Sequence, residues 1–177
     1  MLHIKVPATS ANMGPGFDCA GIALQLYNEI WVETIPSGIE ISSKTNENIP
    51  KDESNLIYST IRDFYEAENI PMPGIRLIQD DHIPMTRGLG SSAACIVGGL
   101  IAANILSGKN YSKEELAQKA AKLEGHPDNS NPAIFGDMII SAMYSEGMKY
   151  VKLNVPKNIL FAVMIPEFTL STKKARA

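Results

Sequence analysis

Cysteine is scarce in this sequence, occurring only at Cys19 and Cys95 among 177 residues. Two cysteines are too few for a disulfide framework and fit a reducing compartment, so we expect a cytoplasmic protein. The sequence also lacks a long apolar run, because the longest, residues 93–106, is interrupted by glycine and asparagine. That run is too short to cross a bilayer, and the N-terminus lacks the apolar core of a signal peptide. We therefore expect no membrane partner.

An excess of positive charge is also missing. The chain has 16 Lys and Arg against 19 Asp and Glu, which gives a formal net charge of −3. This balance argues against nucleic acid as a partner, because the phosphate backbone must be met by surplus Lys and Arg. Hydrophobic residues make up 45% of the chain, which excludes intrinsic disorder and is enough for a buried core.

Segments with strand and helix character alternate irregularly along the chain, which predicts an α+β fold rather than a regular βαβ alternation. Helices are expected to begin at Ser54, Ser92 and Ser112, the last with a capping box. A short helical turn is expected at residues 132–135. The segment 39–43 is expected to pair back on the preceding strand as a hairpin. The predicted strands are residues 2–6, 22–35, 39–43, 75–79, 138–143, 150–153 and 159–165.

The most informative segment is residues 84–94, which read P-M-T-R-G-L-G-S-S-A-A and lead directly into an apolar helix. Glycines let the backbone approach a ligand, and the first amides of a helix are unpaired at the positive end of its dipole. The pattern predicts an anion site, with serine hydroxyls available to phosphate or Mg²⁺. The open alternative is an ordinary turn in which Ser91 or Ser92 caps the helix.

The segment differs from one known phosphate-binding pattern and fits a second only loosely. A Walker P-loop is excluded because no lysine follows Gly90. The loose dinucleotide pattern G-x-G-x-x-A does fit, but it should follow a strand directly, and residues 80–87 intervene.

Two further loops carry polar residues. Residues 7–18 contain Asn12 and Asp18, whose side chains suit an ammonium or a hydroxyl group. Residues 124–133 bring glutamate, histidine, aspartate and asparagine together directly after a predicted helix. No spacing typical of structural zinc is present, so a substrate or an oxygen-ligated cation such as Mg²⁺ is predicted. Ordinary turn chemistry is the alternative for both loops.

The three loops, in this order, resemble the motifs of a known superfamily. Residues 84–94 resemble the P-x-x-x-G-L-G-S-S-A-A motif of the GHMP small-molecule kinases. Residues 7–18 resemble the P-A-T-x-A-N-x-G-P-G-F-D signature of the homoserine kinase family, and residues 124–133 its E-G-H-P-D-N-x-x-P-A motif. The similarity covers most of the chain and continues into residues 170–176.

The resemblance implies a fold and a domain arrangement. It implies an α+β GHMP kinase N-terminal domain, similar to ribosomal protein S5 domain 2, at residues 1–157. Residues 158–177 would begin a C-terminal α+β domain, of which the later G-x-G-P-T motif is missing here. The chain thus resembles the N-terminal portion of such an enzyme, and we expect little turnover from the 177 residues alone.

The resemblance also implies an activity, namely ATP-dependent phosphorylation of L-homoserine to O-phospho-L-homoserine in threonine biosynthesis. Direct in-line transfer with Mg²⁺ is implied. Asp18 could act as a general base or only orient the hydroxyl, and we favour positioning of the hydroxyl by Asp18 and Asn129. The residues implied for homoserine are Asn12, Asp18, His126 and Arg176. Those implied for ATP are Pro84, Arg87, Gly88, Leu89, Gly90, Ser91, Ser92, Ala93 and Ala94, with Asn55 at the base. Those implied for Mg²⁺ are Ser91, Ser92 and Glu124.

Other functions stay open. One is a non-catalytic domain that binds a nucleotide or an amino acid, and another is a GHMP kinase for a different small alcohol. A dinucleotide-dependent oxidoreductase is the third, and it rests on the G-x-G-x-x-A pattern alone. The sequence does not determine the oligomeric state, although a homodimer is compatible with it. One departure from the family is Asp137 after Gly136, where a second glycine is usual.

Overall fold

The computed structural model describes residues 1–165, which fold around a mixed six-stranded sheet flanked by helices. The strands are β1 Leu2–Ala11, β2 Ala20–Ile35, β3 Ile39–Ser43, β4 Gly74–Asp80, β5 Met138–Tyr144 and β6 Gly147–Leu153. The helices are α1 Leu56–Ala67, α2 Ser91–Ser107, α3 Lys113–Glu124 and α4 Ser130–Phe135. The α+β prediction is confirmed. None of these helices is long and apolar enough to cross a membrane.

Strand β2 organises the sheet because it is 16 residues long and pairs with three other strands. It pairs antiparallel with β1 from Val32 back to Gly21, with β4 at its C-terminal half, and with β5 at its first residues. The loop between β1 and β2 therefore lies at the end of the sheet where β5 begins. This brings residues 12–19 near the segment that precedes β5.

Three local predictions were wrong. Strand β3 does not form a hairpin with β2 but pairs in parallel with β4, because α1 makes the crossover between them. Helix α1 is capped by Asn55, not Ser54, whose hydroxyl instead contacts Asp52. Residues 159–165 have no regular secondary structure. The proposed domain boundary after residue 157 stays a prediction.

Helix α2 packs between the sheet and α1, which explains why it is apolar on all sides. Two glycines permit this close approach. A Cβ atom on Gly98 would overlap the side chain of Ile30 in β2, and one on Gly99 would lie 2.8 Å from the Cβ atom of Thr60 in α1. The position of the α2 N-terminus is consequently set by tight contacts on both faces.

The C-terminal end of α1 is tied to α3 through the carboxylate of Glu68. Its oxygens lie 2.9 Å from Lys119 Nζ and 3.0 Å from Lys109 Nζ, and accept a 2.7 Å hydrogen bond from the Tyr111 hydroxyl. The hydrogen bond from Lys119 is the largest of the effects that lower the pKa of Glu68 to about 2. The three donors thus hold the carboxylate in its charged form.

We expect Glu68→Gln to lower the free energy of unfolding near neutral pH by about 1–2 kcal/mol, less than the full pKa shift because the partners are partly exposed. A lowered pKa stabilises the fold above the ordinary glutamate pKa of 4.5, and this contribution is lost as the pH falls towards 2. Urea unfolding at neutral and acidic pH measures the effect. Glu66→Gln, an exposed position on the same helix, is the control, and an equal loss there would contradict the prediction.

Candidate functional site

The N-terminus of α2 lacks a capping side chain. Gly90 is the N-cap residue, in a left-handed conformation at φ 68°, and it makes no side-chain capping hydrogen bond. Ser91 and Ser92 are therefore the first residues of the helix, and the alternative that one of them is the N-cap is wrong. The first-turn amides face the preceding loop at the positive end of the dipole, as an anion site requires.

Thr9 in β1 joins this loop to the segment before α4. Its backbone amide donates to the carbonyl of Leu89 at 3.1 Å, and its hydroxyl donates to Oδ1 of Asn129 at 2.9 Å. Thr9 is fully buried, so both contacts are shielded from water. Sequence reasoning missed Thr9 as a site residue because its partner lies 120 residues away. The only signal was its place in the P-A-T motif.

The loop between β1 and β2 holds the two polar residues that the sequence singled out. Asn12 and Asp18 both have left-handed backbones, at φ 60° and 55°, a conformation that asparagine and aspartate tolerate better than most residues. The backbone amide of Asp18 donates to Oδ1 of Asn12 at 2.8 Å. The loop is thus closed on itself by a side-chain hydrogen bond.

The first and third motif loops meet at Asp128. Its Oδ2 accepts a hydrogen bond from Asn12 Nδ2 at 3.2 Å, and its Oδ1 lies 2.6 Å from His126 Nδ1. The Asp128 side chain is fully buried. Asp18 and His126 line one cavity of about 340 Å³, whose other walls are Cys19, Gly125, Pro127, Ser141, Ala142 and Met143. The structure therefore brings together Asn12, Asp18 and His126, and adds Asp128.

Glu124, the last residue of α3, is a candidate cation ligand. Burial raises its pKa to about 7, and among the described residues its Oε2 is buried without a hydrogen-bond partner. A buried carboxylate oxygen of this kind fits a hard cation such as Mg²⁺. Within residues 1–165, no three His, Cys, Asp or Glu side chains group as a metal site. Glu124 would therefore need serine hydroxyls or ligand oxygens as further ligands.

The remaining predicted residues are distributed around these loops. Asn55 is 2% exposed, and its side chain caps α1 and donates to Gln79 at 2.6 Å, so its contact with a nucleotide base stays a prediction. Arg87 contacts its own loop through Thr86 at 3.4 Å. Arg176 lies outside the described residues. Leu89, Ala93 and Ala94 are buried, whereas Pro84 and Gly88 lie in the loop before α2.

A comparison with protein families matches residues 55–137 to the family described as GHMP kinases N terminal domain. The described residues therefore have the fold of a GHMP kinase N-terminal domain. The matched range runs from the cap of α1 to the residue before β5, so it includes α2 and the loop that contains His126 and Asp128. The mixed sheet, with one parallel strand pair in the described part of the chain, also differs from the parallel sheet of dinucleotide-binding folds.

The GHMP kinase domain has relatives that share more than the fold. The chain is 49% identical to a homoserine kinase of Caldicellulosiruptor saccharolyticus over 99% of its length, and 46% identical to one of Petrotoga mobilis over its whole length. It spans 58% of the length of each. The crystal structure of homoserine kinase from Cytophaga hutchinsonii superposes with a TM-score of 0.77 at 30% identity, over 98% of this chain and 59% of that one.

Proposed function

We propose that the protein is a homoserine kinase, which transfers the γ-phosphoryl group of ATP to the hydroxyl of L-homoserine. The observation that carries the proposal is the hydrogen-bonded link from Asn12 through Asp128 to His126. It joins the two loops that resemble homoserine kinases. Thr9 ties the remaining loop, residues 84–94, to Asn129, which follows Asp128 in the chain. The identity to two proteins named homoserine kinase supports the same substrate.

The loop before α2 and the first turn of that helix are the proposed ATP phosphate site. Gly88 and Gly90 both have positive φ, so the backbone can turn its amides toward a ligand without a side chain in the way. Amides and the helix dipole neutralise anionic oxygens without surplus basic residues. The mild net negative charge of the chain is therefore compatible with a nucleotide substrate.

Glu124, Ser91 and Ser92 are the proposed Mg²⁺ ligands, and the buried, unpaired Oε2 of Glu124 is the feature that supports this set. When bound, Mg²⁺ would neutralise charge on the transferred phosphoryl group. Asp18 and Asn129 are proposed to position the homoserine hydroxyl. Asn129 is pre-oriented, because its Oδ1 accepts the hydrogen bond from Thr9.

Phosphoryl transfer needs mainly alignment and charge neutralisation, so we propose direct attack by the positioned hydroxyl. The hydroxyl oxygen bonds to the γ-phosphorus as the bond to ADP breaks, and the hydroxyl proton passes to a phosphoryl oxygen. Asp18 orients the hydroxyl in this scheme and does not remove its proton. Arg176, which the family resemblance implies for the substrate carboxylate, would complete the substrate site.

A coupled assay of ADP release tests the function on this chain joined to the C-terminal half of a homoserine kinase, because we expect little turnover from the 177 residues alone. We expect release to require Mg²⁺ and to be at least about 100-fold faster with L-homoserine than with L-serine, because a hydroxyl displaced by one methylene is misaligned. Mevalonate and galactose serve as the matched alcohols of related kinases. Faster turnover of L-serine, mevalonate or galactose would overturn the assignment of L-homoserine as the substrate. ATP binding without turnover of any alcohol would favour a non-catalytic binding domain.

A further inference from the structure

Asp128 is the aspartate of the E-G-H-P-D-N-x-x-P-A motif, to which the family resemblance assigned no role in the site. We infer that Asp128 is a positioning residue that fixes the ring proton of His126 on Nδ1 and holds the side-chain amide of Asn12 in one orientation. The inference deepens the proposed function and rests on it for the identity of the ligand. It stands on a hydrogen-bond chain whose direction can be followed from atom to atom.

The series of hydrogen bonds begins at the backbone amide of Asp18, which can only donate. Because this amide donates to Asn12 Oδ1 at 2.8 Å, the oxygen of the Asn12 side chain must face Asp18. The Nδ2 group of Asn12 therefore faces the other way, where it lies 3.2 Å from Asp128 Oδ2. The flip that often leaves an asparagine ambiguous is excluded by the backbone donor.

Asp128 receives donors on both of its oxygens. Asn12 supplies the donor at Oδ2, and the 2.6 Å contact at Oδ1 is with Nδ1 of His126. Imidazole is a stronger base than a carboxylate, so the shared proton lies on Nδ1 and not on Asp128. The backbone carbonyl of Asp128 packs against Gly21 so closely that a Cβ atom there would overlap it. Asp128 thus holds a fixed position as a double acceptor.

This arrangement determines what His126 presents to the cavity that it shares with Asp18. With its proton on Nδ1, the neutral ring carries its lone pair on Nε2, which accepts hydrogen bonds. Asp18 adds a carboxylate, which also accepts. Both side chains therefore suit the hydrogen-bond donors of a ligand, which in L-homoserine are the ammonium and hydroxyl groups. An imidazole with the opposite tautomer would present a donor to the same groups.

Nitrogen-15 NMR of the histidine side chains tests the inference directly. The chain has three histidines, and His126→Gln identifies the signals of His126. At about pH 9, where imidazole is neutral, we expect the Nδ1-protonated tautomer in the unmodified protein. The Nε2-protonated tautomer would overturn the inference. This measurement needs no substituted variant and no activity.

Asp128→Asn is the informative substitution. The new side-chain oxygen would face the Nδ2 donor of Asn12 and its NH₂ group would face His126, so the proton should move to Nε2. We expect this reversal together with an approximately 10-fold rise in the KM for L-homoserine, the effect of about 1.4 kcal/mol of lost binding. The KM for ATP should change less than that for L-homoserine, because Asp128 has no described hydrogen bond to the loop before α2.

Asp63→Asn is the matched control, since it makes the same chemical change at an exposed position on α1. A purely structural role for Asp128 would lower stability and leave the His126 tautomer unchanged, and that result would overturn the inference. If Asp128→Asn does not fold, the tautomer of the unmodified protein decides. The expected tautomer without homoserine turnover would overturn the proposed function while supporting the role of Asp128.

Discussion

Replacing Glu124 by glutamine is expected to lower kinase turnover by about 100-fold, the usual effect of losing one strong electrostatic group at a reacting centre. Glutamine keeps the size of the side chain but removes the charge that the proposed Mg²⁺ site needs. The residual turnover should no longer rise with Mg²⁺ concentration over the range that saturates the unmodified protein. The coupled assay of ADP release at several Mg²⁺ concentrations measures both effects.

The same substitution should have the opposite effect on stability in the absence of metal. Burial raises the pKa of Glu124 from 4.5 to about 7 in the folded protein. A raised pKa stabilises the fold below the ordinary value, and this contribution is lost as the pH rises through 7. Above pH 7 without metal, Glu124→Gln should therefore be more stable than the unmodified protein, by up to about 3 kcal/mol.

Thermal unfolding at about pH 8, with EDTA and then with Mg²⁺, separates these contributions. Mg²⁺ should raise the melting temperature of the unmodified protein and leave that of Glu124→Gln unchanged. Glu114→Gln, an exposed position near the other end of α3, is the control and should keep the response to Mg²⁺. Equal stabilisation of all three proteins by Mg²⁺ would contradict a metal-ligand role for Glu124.

Gly90→Ala is expected to lower kcat/KM for ATP by about 100-fold, through two penalties that add to about 3 kcal/mol. The first is the left-handed backbone at φ 68°, which an L side chain adopts at a cost. The second is steric, because a Cβ atom on Gly90 would overlap the hydroxyl of Thr9 and lie 3.1 Å from Oδ1 of Asn129. The loop would have to move away from both residues.

Gly88→Ala is a matched control in the same loop. Gly88 has a similar φ of 72°, but a Cβ atom there would meet no atom within 4 Å. It therefore carries the backbone penalty alone, and we expect a loss of about 10-fold at most. Comparing steady-state kinetics for the two variants isolates the contact with Thr9. Equal losses would show that the close approach of Gly90 to Thr9 contributes nothing.

Local sequence signals predicted the elements that carry the site well. The capping box of Ser112 and Glu115 is present, and α2 begins one residue before the predicted Ser92. Both succeed because capping and the apolar character of a buried helix depend on neighbouring residues. The hairpin predicted for residues 39–43 fails because strand pairing depends on the distant β4, which lies between β3 and β2.

The site, like the secondary structure, depends partly on local sequence patterns and partly on contacts between distant segments. The three loops were recognisable from their glycine, serine and asparagine patterns, and Asn12, Asp18 and His126 do come together in the structure. Thr9 was not recognisable as a site residue. A threonine in a strand has no local feature that shows its hydroxyl will meet an asparagine 120 residues away.

The sequence by itself determined the α+β class, the glycine-rich turn into an apolar helix and the resemblance to the GHMP kinases. These properties depend on residue types at short spacings, where backbone freedom and helix capping act. Only the tertiary structure decided that Gly90 replaces serine as the helix cap and that Asp128 connects Asn12 to His126. The reason is physical: a hydrogen bond between distant segments depends on how the sheet and helices pack. That packing involves the whole chain at once.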